Sequence, residues 1–197
     1  TTVLDYAFSP ARLIVDAGEV VRANGSTITL NTGSGVPLTV NGTFVPGTST
    51  VVISGDAALT VTSGALNLYN FTLSPTITAG RVYTLGAGTL TIANDFTINP
   101  TAASAFALTV NMASSMTVTG NVVVTRTTSA ISTLSTVSNF ALGAARLDVA
   151  TGGTFNAYAS TVTLNGSSGV LFTKNGTFSP GSSLVDFKPD GAVDLTS

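Results

Sequence analysis

Residues 36–47 read VPLTVNGTFVPG, and this stretch carries the fold in miniature. Leu38 and Val40 alternate with Thr39, the period of a half-buried strand. Asn41-Gly42 then offers the positive φ that a tight corner demands. A second short apolar segment around Phe44 follows, and Pro46-Gly47 turns the chain again. Strands this short, separated only by corners, suit coils of ~20 residues better than long hairpins.

The same grammar runs outward in both directions. STITLN (26–31), ALTVTS (58–63), TLTIAN (89–94), DFTIN (95–99), ALTVN (107–111), SMTVTG (115–120) and STVTLN (160–165) all alternate apolar residues with Thr. Thr is β-branched and tolerates water, so its face reads as the outer one. No window shows sustained helical spacing, and the sequence predicts at most one helical turn near 101–105. The segment LNLYNFTL (66–73) is the exception to simple alternation. Read as one strand, it carries Leu66 and Leu68 on one face and Tyr69, Phe71 and Leu73 on the other, which predicts contact with a neighbouring element on each side.

NGTFVPG (41–47) recurs as NGTFSPG (175–181), 134 residues later. The register holds without a gap, and 18 of 31 positions match between 26–56 and 160–190. Arg12/Arg146, Phe44/Phe178, Pro46/Pro180 and Asp56/Asp190 keep step, which shared low complexity would not produce. The pattern predicts a tandem array: a unit at 1–134 and a partial second unit at 135–197 equivalent to 1–63. The expected fold is an all-β solenoid of ~134-residue repeats, with stacked β-sandwich domains as the alternative. At ~20 residues per coil and ~4.8 Å per step, it predicts about ten coils and a rod of roughly 45–50 Å.

Composition narrows the function classes. The 197 residues are 44% hydrophobic but only 8% charged, with a net charge of −2. That combination excludes a disordered chain and gives no electrostatic footprint for nucleic acid or anionic lipid. No apolar run approaches the ~20 residues of a membrane helix, and no signal peptide is visible. His, Cys and Trp are absent, which removes the usual zinc, copper and haem ligands and His-dependent triads.

The run NGTFVPGTSTVVISGD, followed by LNLYNFTLSP and YTLGAGTLTIANDFTIN, resembles repetitive bacterial cell-surface proteins. The resemblance covers most of the 134-residue stretch. It implies an extracellular β-repeat stalk, adhesin or fibre, and it assigns no binding residue.

Candidate sites are few. Asp16 and Glu19 form a carboxylate pair, but their counterparts are Ala150 and Gly153, so a solvated turn is the simpler reading. Asp186, Asp190 and Asp194 are spaced four apart and are the candidate calcium set; their counterparts are Val52, Asp56 and Thr60. No other cofactor is expected. Arg12 and Arg146 read as solvent-facing, or else as partners in a salt bridge between units. Tyr69, Phe71 and Leu73 are the candidate interface residues. The sequons place candidate glycans at Asn24, Asn41, Asn70, Asn165 and Asn175, four of which are also Asn-Gly turns. Thr-x-Thr begins at 27, 60, 76, 89, 117 and 161, and this unequal spacing argues against one flat hydroxyl ladder of the kind that binds ice.

These features predict a non-enzymatic structural protein outside the cell: a stalk, fibre or filament formed by copies stacking head to tail. A carbohydrate-binding adhesin passenger is the second class. It would need exposed aromatics, for which Tyr6, Tyr69, Tyr83 and Tyr158 are the candidates. A β-helical polysaccharide lyase or hydrolase is the third, and scattered carboxylates argue against it.

Overall fold

The computed structural model describes residues 1–86, 88–189 and 193–194. The chain is all-β and winds into a β-solenoid of about seven coils. Every strand pair among the described residues is parallel. Parallel pairing follows from the short corners, because each strand meets its neighbour only after one full circuit.

Three faces enclose one core. Face I stacks seven strands: Thr27–Leu30, Thr50–Ile53, Asn70–Leu73, Phe96–Ile98, Asn121–Val124, Arg146–Val149 and Phe172–Lys174. Face II begins with Leu13–Val15, Leu38–Val40 and Thr62–Ser63, and continues from Leu59–Thr60 through Arg81–Thr84 to Thr177–Ser179. Its two sheets meet across Val61. Face III runs from Thr2–Val3, Val20–Arg22 and Thr43–Val45 onto Leu66–Leu68 and ends at Leu184–Phe187. Alternation sends one set of side chains inward: Ile28, Val51, Phe71, Phe96, Val122 and Leu147 form a continuous buried column on face I. Phe71 and Phe96 stack there with ring centroids 5.5 Å apart.

The coils are longer than the sequence predicts, and fewer. Register partners on face I lie 20 to 26 residues apart. Seven strands at ~4.8 Å make a stack of roughly 30–35 Å, shorter than the expected 45–50 Å. The extra residues sit in corners such as 31–37 and 165–171, which leave the strand ladder intact. The sandwich alternative fails, since it requires antiparallel pairs. The helical turn expected near 101–105 is also absent: Thr101–Ala102 is a strand, and the one helical turn among the described residues is the 3-10 turn Val137–Asn139.

The repeating element is the coil, not a 134-residue unit. Strand Ile131–Ser135 runs straight across the expected boundary at 134/135. What does recur at this offset is a pattern of strands and corners. Thr27–Leu30, Leu38–Val40, Thr43–Val45 and Thr50–Ile53 correspond to Thr161–Leu164, Phe172–Lys174, Thr177–Ser179 and Leu184–Phe187. Positive φ recurs at Gly18, Asn24, Gly35 and Gly47 (85, 47, 72 and 56°) and at Gly152, Tyr158, Gly169 and Gly181 (79, 51, 73 and 58°). The corresponding strands nevertheless lie on different faces: Thr27–Leu30 is on face I, but Thr161–Leu164 is on face III. Leu38–Val40 is on face II and Phe172–Lys174 on face I. The offset thus ends one face short of a whole number of coils. Asn-Gly and Pro-Gly corners turn the chain alike at each edge, so a segment fits wherever its inward alternation is kept.

LNLYNFTL is two strands rather than one. Leu66–Leu68 lies on face III and Asn70–Leu73 on face I, with the corner at Tyr69. Leu66, Leu68, Phe71 and Leu73 all point into the core. The apparent two-sided strand is one inward pattern bent around a corner.

Candidate functional site

The outer side of face I carries the most concentrated polar chemistry in the described structure. Asn70, Asp95, Asn121 and Arg146 fall in one register column beside the corner between faces III and I. They are hydrogen-bonded from coil to coil. The Asn70 amide donates to Thr50 Oγ1 at 3.3 Å, and its Oδ1 accepts from Asn94 Nδ2 at 2.8 Å. Asp95 Oδ1 accepts from the Asn121 backbone N–H at 2.8 Å and from its Nδ2 at 3.0 Å. Each short amide or carboxylate satisfies a donor one coil away, which locks the register of neighbouring coils.

The column ends at Arg146, whose guanidinium donates to the Ser168 carbonyl in the 165–171 corner. Arg12 makes the same staple to the 31–37 corner, with Nη2 donating to the Ser34 carbonyl at 2.7 Å and Nε to Thr32 Oγ1 at 3.3 Å. Arg12 is exposed, as the solvent-facing reading expects, and Arg146 is half-buried; both are held by this intrachain clamp, and neither belongs to an ion pair among the described residues.

Under the second clamp lies a groove of about 390 Å3, lined by Asn121, Val123, Arg146, Leu147, Asp148, Val170 and Thr173. Val123, Asp148 and Thr173 are register partners on successive coils, all facing outward from the sheet. Asp148 Oδ1 is shut away from solvent with no hydrogen-bond donor, and burial pushes its carboxyl above the ordinary 3.8. Arg146 does not pair with it: the ion pairs among the described residues are Arg81–Asp56 and Lys188–Asp186. Two smaller depressions, of about 260 and 180 Å3, sit against Tyr158 and against Phe44.

The remaining predicted residues scatter. Phe71 and Leu73 are fully buried in their own chain, so they are no interface, and Tyr69 is half-buried at its corner. Asp186 pairs with Lys188 at 3.0 Å; Asp190 lies outside the described residues, and Asp194 is described in its backbone alone. No group of three possible metal-ligating side chains occurs among the described residues. Asp16 and Glu19 sit on the exposed turn between Leu13–Val15 and Val20–Arg22. Asn24, Asn41, Asn165 and Asn175 stand on exposed corners, whereas Asn70 is engaged in the coil-to-coil ladder. Tyr83 is buried, and its hydroxyl donates to the Gly55 carbonyl; Tyr6 and Tyr158 are exposed. The Thr-x-Thr segments are spread over all three faces, and the column Thr91, Thr117, Thr163 is interrupted by Gly143.

Asp148 is the residue that sequence reasoning passed over. Its signal was the change from ARLIV to ARLDV, an acid standing where the earlier segment has Ile14. Comparison with known families, with curated proteins and with solved structures found no match to this chain.

Proposed function

We propose that this protein is a structural element of an extracellular stalk, fibre or filament, built by copies of the chain stacking head to tail. The observation that carries this reading is the apolar end of the solenoid. On the last coil the inward residues Phe172, Phe178 and Val185 are half-buried, while Phe187 is 37% exposed. Their counterparts Leu38, Phe44, Val51 and Ile53 are buried, with exposures of 8% or less, because the next coil brings Thr62, Leu66, Phe71 and Leu73 against them. A further coil, of the same chain or of a second copy, would bury these side chains in the same way.

Such a coil binds through main-chain pairing along open parallel edges, with inward apolar residues adding the hydrophobic term. The first coil of a second copy offers Leu4, Phe8, Leu13 and Val15 on the same inward course. Like copies barely repel at a net charge of −2. Corresponding strands already occupy different faces, so the geometry accommodates a junction rotated by one face. A head-to-tail contact of this kind is heterologous and propagates as an open filament. The polar, sparsely charged surface and the likeness to bacterial surface repeats support an extracellular setting. The groove holds a single carboxylate, which supports a non-catalytic role, since glycoside hydrolysis uses two.

The test is a concentration series of the full chain by sedimentation velocity, with negative-stain imaging of the same samples. Rods that lengthen with concentration are expected, and Val185→Lys with Phe187→Lys should shorten them. A monodisperse monomer at high concentration would overturn the proposal.

A further inference from the structure

We infer that the groove beneath the 165–171 corner is a binding subsite for a neutral polyhydroxylated ligand, a sugar unit of a glycan. The inference stands on a single chain and does not depend on filament assembly.

The argument begins with Asp148. A buried carboxylate oxygen without a donor is costly, and native structures rarely leave one so. Asp148 lines the groove, but its Oδ1 is sealed even from water, so a ligand hydroxyl reaches this carboxylate through its other oxygen. Arg146 borders the same space, with one guanidinium nitrogen held by Ser168 and other N–H groups left to donate. Thr173 adds a hydroxyl, and Asn121 adds an amide oxygen, its Nδ2 being taken by Asp95. Donors and acceptors are therefore mixed, as a ring of hydroxyls requires.

Charge decides between ligand classes. One carboxylate beside a guanidinium falls short of the oxygen-rich shell that calcium takes. The same carboxylate repels phosphate or sulfate, which a lone Arg would otherwise attract. An uncharged polar molecule is what the pair accepts without penalty. Val123 and Val170 supply small apolar surfaces for the C–H side of a sugar. The volume, about 390 Å3, lies at the lower end of ligand pockets and suits one or two sugar units.

The segment 12–53 has no carboxylate at this place, although Arg12 reaches the corresponding corner carbonyl as Arg146 does. Its Asp148 counterpart is Ile14, 56% exposed, on a strand at the edge of its sheet, where no strand among the described residues takes the place of Asn121 and Val123.

The experiment is saturation-transfer NMR and calorimetric titration of the full chain. The probes are neutral cello-, xylo-, manno- and malto-oligosaccharides, with oligogalacturonate and inorganic phosphate as charged comparators. Saturable binding of at least one neutral oligosaccharide at millimolar concentration is expected. Asp148→Ala and Thr173→Ala should each weaken it about tenfold or more, the scale of one hydrogen bond to a polar ligand. Thr133→Ala, on face II, should leave it unchanged. Thr173→Ala keeps the test open if Asp148→Ala fails to fold. No saturable neutral ligand, tighter binding of either charged probe, or wild-type affinity in the folded variants would overturn the inference.

Discussion

Phe44 and Phe178 hold the same place in the same local pattern, yet Phe44 is 8% exposed while Phe178 stands half-buried between Phe155 and Phe172. The strands around them have corresponding bounds, and the glycines that follow, Gly47 and Gly181, have φ of 56 and 58°. The difference lies in what stacks next. Phe44 is followed by the coil that carries Leu66, and Phe178 by no comparable strand among the described residues. Local conformation in a solenoid is set by the segment, whereas burial is set by the neighbouring coil. The same logic runs at the other edge: Arg146 and Asp148 gain a groove because coil residues 121–124 lie beside them, while Arg12 and Ile14 sit on a strand at the end of its sheet.

The largest expected effect separates the two phenylalanines. Phe44→Ala should cost about 3–5 kcal/mol, the range for a truncated core aromatic. Phe178→Ala should cost only about 1–2 kcal/mol, because much of that ring is not buried to begin with. Urea unfolding of both variants at low protein concentration makes the comparison. Equal losses would mean that the last coil is covered in solution.

A middle-sized effect should be shared by both segments. A Cβ at Gly47 would lie 2.4 Å from the Asn24 carbonyl oxygen, and one at Gly181 would lie 2.3 Å from that of Tyr158. Both glycines also have positive φ. Gly47→Ala and Gly181→Ala should each destabilise by roughly 1–3 kcal/mol. Thermal melts that spare only the Gly181 variant would break the equivalence of the two corners.

The smallest effects concern two aspartates with opposite shifts. Burial raises the Asp148 carboxyl above 3.8, so the folded chain binds that proton more tightly than the unfolded chain. Stability should then fall as pH rises from about 3.8 through the raised folded value, and Asp148→Asn should remove this decline. The hydrogen bond from Arg81, with help from Thr78, lowers Asp56. Its contribution is present above 3.8 and lost as pH falls through the lowered folded value, so Asp56→Asn should weaken the chain at neutral pH and not in strong acid. Denaturation midpoints from pH 2 to 8 would show either sign reversed.

Much of the architecture was readable from residues 36–47 alone, because alternation and Asn-Gly or Pro-Gly corners are local properties. The same reading went astray at LNLYNFTL. Nothing in eight consecutive residues says that the chain bends at Tyr69, and a bent inward pattern looks like a strand with two apolar sides. The clamp of Arg12 and Arg146 was half-visible: the residues stood out, but their partners lie 22 positions on, in corners whose fold the sequence does not spell.

By itself the sequence determined the strands, the corners and the inward course of Leu, Ile, Val and Phe, since these depend on φ/ψ preference and side-chain period. It also determined that a pattern returns after 134 residues. Only the tertiary structure decided that the return falls one face short of whole coils, because coil length is summed over corners of variable size. Only the stacking decided which copies of one pattern are buried, and which carboxylate is left without a donor. Those properties belong to residues some 20 to 26 positions apart that meet one coil step away across parallel strands.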